Sequence, residues 1–159
     1  MIYHKILVAL DKSKQTGKVF QTALDLVKEK ESEIKLLHCI NSNMMIGDVS
    51  SIGGIGTFGD INIYGNLHKK YQQELNQEIQ KVCDWSEYYC QQARMQKIPA
   101  SYTYELGEPG KKICEFAQSW GADLLVLGSR GHSGITEVLL GSVSNYVIHH
   151  ACCSVLIVK

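Results

Sequence analysis

Three short stretches hold residues with usable chemistry. The apolar run Ile6-Leu7-Val8-Ala9-Leu10 ends in Asp11, which delivers a carboxylate at the end of a strand-like segment. Leu127 leads into Gly128-Ser129-Arg130-Gly131-His132-Ser133-Gly134, and Gly141-Ser142-Val143-Ser144 opens the last amphipathic segment. Glycines let a backbone approach an anion closely, and the free amides of a helix N-terminus offer that anion donors. Ser142 and Ser144 add hydroxyls, so phosphate is the natural ligand of such a pattern. The same glycines also make a plain tight turn, and glycine content alone does not separate the two readings. For Arg130 and His132, inside the loop, phosphate contact and simple solvation are both open.

Other clusters point to weaker chemistry. His149-His150-Ala151-Cys152-Cys153 packs four metal-binding side chains into five residues. Adjacent helical residues point about 100° apart and strand neighbours point to opposite faces, so convergence on one zinc ion is difficult. A nucleotide hydrolase could be built from Asp11, a metal and His132. The chain has no Gly-x4-Gly-Lys-Ser/Thr loop, however, and Gly107-Glu108-Pro109-Gly110-Lys111-Lys112 does not meet that spacing. A Ser-Gly-Gly-x-Asp-Ser loop is also missing. Without a second acidic anchor or an obvious phosphate-clamping lysine, the expectation is a binding protein with at most slow hydrolysis.

The elements that position these residues follow from hydrophobic periodicity. Lys5 to Leu10, Asp123 to Leu127 and Val155 to Val158 are continuous apolar runs, as strands covered on both faces of a parallel sheet require. Glu33 to Ile40 is a more polar fourth strand, and the alternation in Ala100 to Leu106 suits an edge. Val19, Phe20, Ala23, Leu26 and Val27 form one helical stripe, and Leu67, Tyr71, Leu75, Ile79, Val82, Trp85 and Tyr89 another. Two shorter helices cover residues 111–120, stopped by Gly121, and 142–150. Alternating strands and helices predict an α/β, doubly wound five-stranded parallel sheet with right-handed crossovers. In such sheets ligands sit beyond the carboxyl ends of the strands.

The chain has 159 residues, one domain's worth, and its 16 basic and 16 acidic residues cancel. That balance gives no footprint for nucleic acid or an anionic membrane. No window approaches the roughly 18 apolar residues of a membrane span, and Met1-Ile2-Tyr3-His4 passes into a strand pattern without a leader, which predicts a cytoplasmic protein. The six cysteines are then expected as thiols. Cys83 and Cys90 share a helix face about 10 Å apart, too far to bridge. The pattern breaks once, between residues 41 and 66, where six glycines mix with Met, Ile, Phe and Tyr. This stretch is expected as an irregular insertion, either a flap over the site or a loop without a role.

Gly128-x2-Gly131-x9-Gly141-Ser142 resembles the ATP-binding signature of the universal stress protein family. The likeness extends to Ile6-Leu7-Val8-Ala9-Leu10-Asp11, to Leu36-Leu37-His38-Cys39 and to Gly121-Ala122-Asp123-Leu124-Leu125-Val126-Leu127-Gly128, nearly the whole chain outside residues 41–66. It implies a single domain over residues 1–159, a sheet order of 3-2-1-4-5 and a homodimer through the last strand, Ser154 to Val158. It implies ATP, or ADP or AMP, held by Ala9, Leu10 and Asp11, by the backbone of Cys39, and by Leu127, Gly128, Arg130, Gly131, Gly141, Ser142, Val143 and Ser144. Asp11 would carry Mg between itself and the phosphates. Cys39 stands where the family often has Val, and Ser154 where many relatives have Pro. A structural dimer that binds no nucleotide is the remaining alternative.

Overall fold

The computed structural model describes residues 3–27, 32–41, 60–129 and 140–159. Five strands and four helices alternate among them: β1 (Lys5–Ala9), α1 (Thr16–Leu26), β2 (Glu33–Ile40), α2 (Asp60–Met95), β3 (Ala100–Leu106), α3 (Pro109–Trp120), β4 (Leu124–Gly128), α4 (Ser142–His150) and β5 (Ser154–Val158). All strands run parallel in the order β3-β2-β1-β4-β5, as expected.

Strand burial follows from the covering helices. Ile6, Val8, Leu36 and Val126 face Val19, Phe20 and Ala23 of α1 and Cys90 and Ala93 of α2. Leu7, Leu37, Leu125 and Leu127 face the other way, against Ile113 and Ala117 of α3 and Val147 of α4. Connections leave β1 and β4 toward opposite edges of the sheet, so a crevice opens where their carboxyl ends lie side by side. The outer strands, β3 and β5, are half-buried over most of their length.

Several element ends differ from the sequence reading. Asp123 does not belong to β4; its carboxylate accepts from the amides of His4 at 2.8 Å and Lys5 at 3.2 Å and ties the start of β1 to its neighbour. Helix α3 begins two residues early, because the Glu108 carboxylate caps it by accepting from the amides of Gly110 and Lys111 and Pro109 suits its first turn. Gly121 ends it at φ 72°, a left-handed conformation that glycine adopts without strain. Helix α2 begins at Asp60, inside the stretch read as irregular. The spacing Ile63, Leu67, Tyr71 continues its stripe toward the N-terminus, a signal the nearby Gly65 had masked. Residues 42–59 of that stretch lie outside the described residues. Among the described residues no helix is long and apolar enough to cross a membrane.

Candidate functional site

The crevice is built first by the end of β1. Ala9 pairs with Leu37 of β2 on one side and with Leu127 of β4 on the other. The Leu10 amide continues the ladder by donating to the Leu37 carbonyl at 3.0 Å. The chain then turns sharply at Asp11. Its Oδ1 accepts from the Ser13 amide at 3.2 Å, and its carbonyl accepts from the Thr16 hydroxyl at the start of α1. The turn fixes Asp11 at the crevice, and among the described residues only the first carboxylate oxygen is bonded.

Strand β2 runs on past the end of β1. Parallel-strand residues present amide and carbonyl to the same side, and that side alternates. The Leu37 carbonyl serves β1, while the Ile40 carbonyl accepts from Gly107 beyond β3 at 3.0 Å. Cys39, two residues after Leu37, therefore turns its amide and carbonyl toward the space above β1. Its thiol goes elsewhere: it contacts the Pro109 carbonyl at 3.9 Å, and burial, aided by Glu105 and Glu108, pushes its pKa up to about 12. The side chain is neutral packing and the main chain is the part offered to the crevice.

The third wall is the end of β4 with the start of α4, and Ser129 joins them. Its amide donates to the Val158 carbonyl of β5 at 2.8 Å. Its carbonyl accepts from the Gly141 amide at 2.8 Å and lies 3.0 Å from the Ser144 hydroxyl, which is equally close to the Gly141 carbonyl. Ser144 is buried, so the hydroxyl expected as a ligand donor is engaged within the protein. What Ser144 can offer is its amide. Helix α4 has no side-chain cap at Gly141, and the first-turn amides of Ser142, Val143 and Ser144 have no acceptor within the helix. A helix start without a side-chain cap among the described residues, beside two strand ends, is a place where an anion is stabilised by donors and dipole together.

The structure thus brings together Ala9, Leu10, Asp11, the backbone of Cys39, Leu127, Gly128, and Gly141 to Ser144. Arg130, Gly131 and His132 lie outside the described residues. Among the described residues no three His, Cys, Asp or Glu side chains converge as a metal cage. With Asp11 as the carboxylate from the described residues, a cation there would need phosphate or water as further ligands, as Mg accepts. In the His149 to Cys153 cluster, the His150 ring stacks on Tyr146 at 4.0 Å and its Nδ1 bonds the Tyr146 carbonyl.

Two positioning residues escaped the sequence reading. Ser129 could have been suspected from its place directly after Gly128. His38 was read only as part of a motif; its Nδ1 lies 2.8 Å from the Leu10 carbonyl and its ring meets Trp85 of α2 edge-on at 5.5 Å. Burial holds its pKa below the usual histidine value, against the opposing pull of the Leu10 carbonyl.

Comparison with known proteins decides the family. A model of the universal stress protein family matches residues 2–51 and 59–159. The chain belongs to that family. The universal stress protein Sll1388 of Synechocystis is 38% identical over 160 positions, covering 100% of this chain and 99% of that one. A solved structure of the hypothetical protein MJ0577 superposes with a TM-score of 0.82 at 22% identity, covering 100% of this chain and 97% of the other. Two universal stress protein structures carry ligands. One is a complex with cAMP (TM-score 0.62, 20% identity, 100% and 98% covered), the other a complex with dAMP from Archaeoglobus fulgidus (0.60, 22%, 100% of both). At these identities the solved structures show that the fold is shared.

Proposed function

We propose that this universal stress protein binds an adenine nucleotide, ATP above all, in the crevice between β1 and β4, and acts as a regulatory homodimer in the cytoplasm rather than as an efficient enzyme. The observation that carries the reading is the uncapped start of α4, held by Ser129 against the end of β4 and beside the end of β1. In this reading the amide and carbonyl of Cys39 take the adenine edge, and Ala9, Leu10 and Leu127 line the adenosine. Gly128, Arg130, Gly131 and the amides of Gly141 to Ser144 surround ribose and phosphates. The cAMP and dAMP complexes of two structural neighbours support the adenine choice.

Asp11 would hold Mg together with the phosphates, which supplies charge neutralisation there. One open carboxylate suffices for that and is too little to orient an attacking water, so binding rather than turnover is the expected output. The half-buried Val155, Leu156 and Ile157 of edge strand β5 are the surface proposed to meet a second copy about a two-fold axis. Thermal unfolding with saturating nucleotides tests the binding reading. A ligand that binds only the folded chain raises the midpoint. ATP should raise it and GTP should raise it less, because an edge-reading backbone accepts adenine. Equal effects of the two, or none, would overturn adenine recognition.

A further inference from the structure

Lys12 follows Asp11 directly, on the turn that Ser13 and Thr16 pin in place. Its backbone is therefore fixed at the crevice, and only its side chain has freedom. That side chain donates from Nζ to Glu78 of α2 at 2.7 Å, with 36% of the lysine and 30% of the glutamate side chain exposed. A pair so open to water is weak, and it costs a long side chain its freedom. A lysine is also a point charge on a flexible stem, able to exchange one partner for another. Beside the pair, His38 is buried against Trp85 and held toward its neutral form, so it does not compete as a cation. Glu78 also feels Lys81 of its own helix, so losing Lys12 would not leave its charge alone.

We infer that Lys12 is the residue that reads polyphosphate charge at this site, held in reserve by Glu78 and exchanging that carboxylate for the phosphates beyond the first when a nucleotide binds. The inference rests on the nucleotide reading above and adds a preference for di- and triphosphates over monophosphates. Several negative charges next to Asp11 and its cation outbid a single exposed carboxylate. Glu78 then acts as a competitor that lowers the affinity of the resting site.

The test is a titration of the wild type, Lys12→Met, Glu78→Gln and the double variant with MgATP and with AMP at one ionic strength. Lys12→Met should weaken ATP about tenfold, one lost charge-assisted bond, and AMP less than about twofold. Glu78→Gln should strengthen ATP roughly threefold in the wild-type background and leave it unchanged once Lys12 is gone. Unaltered or weaker ATP binding by Glu78→Gln overturns the exchange, as does equal weakening of ATP and AMP by Lys12→Met. A wild type that binds neither nucleotide overturns the binding reading itself, a result distinct from both.

Discussion

Replacing Gly110 with Ala tests whether the start of α4 owes its position to close packing on α3. A Cβ built at Gly110 would lie 2.9 Å from Cδ1 of Tyr146 and 3.0 Å from its Cβ and Cγ. Tyr146 Cβ is bonded to the backbone of α4 and cannot move aside alone, so the two helices must separate. Overpacking of this kind costs about 1–3 kcal/mol. The gain in helix propensity from Gly to Ala offsets up to roughly 1 kcal/mol of that, and less in a first turn. A net loss near 1–2 kcal/mol lowers the melting temperature by about 3–6 °C in a chain of this size. Because Tyr146 sits one turn after Ser142, the shift should also displace the amides proposed for phosphate and weaken ATP about three- to tenfold. Calorimetric melting and nucleotide titration read both effects. A melting temperature that rises, with ATP affinity unchanged, would refute the claim that α3 sets the place of α4.

Other outcomes follow from the same geometry. Asp11→Asn should weaken ATP about tenfold with Mg present; without Mg it should leave affinity equal or raise it, since a carboxylate then only repels phosphate. His38 has a lowered pKa in the folded chain, so the unfolded chain takes its proton more readily. Its contribution is complete above about pH 6.5 and declines as pH falls below that. Urea unfolding at pH 7.5 and 5.5 should show a larger acid loss for the wild type than for His38→Gln, with Asp11, Lys12 and Glu78 as the other charges facing the ring. Light scattering should report about twice the chain mass of 17.8 kDa, and Val155→Lys should reduce it to a single chain.

How much was legible depends on where each signal lies. The sheet could be read because Ile6 to Leu10 and Leu124 to Leu127 are apolar on both faces, which only a doubly covered strand tolerates. The strand order could not be computed from periodicity and came from the resemblance carried by Gly128, Gly131, Gly141 and Ser142. Helix starts were misplaced where the deciding contact is a single side chain, as with Glu108, or where a glycine interrupts a stripe, as with Gly65. The place of the Cys39 backbone at the crevice was legible, and its thiol chemistry follows from burial that no spacing reveals. Ser144 shows the opposite failure. Its type and place promised a ligand hydroxyl, but the carbonyl of Ser129, fifteen residues away, claims it. Lys12 carried no sequence signal at all, since its partner Glu78 lies 66 residues further on.

The central claim is that the crevice holds an adenine nucleotide at the start of α4, and isothermal titration of the purified chain with ATP in Mg buffer tests it most directly. The expected result is a saturable isotherm with one nucleotide per chain, lost or strongly weakened when Gly141 is replaced by Val beside the first-turn amides of α4. Heats indistinguishable from dilution at all ATP concentrations would contradict it, as would an isotherm that Gly141→Val leaves unchanged.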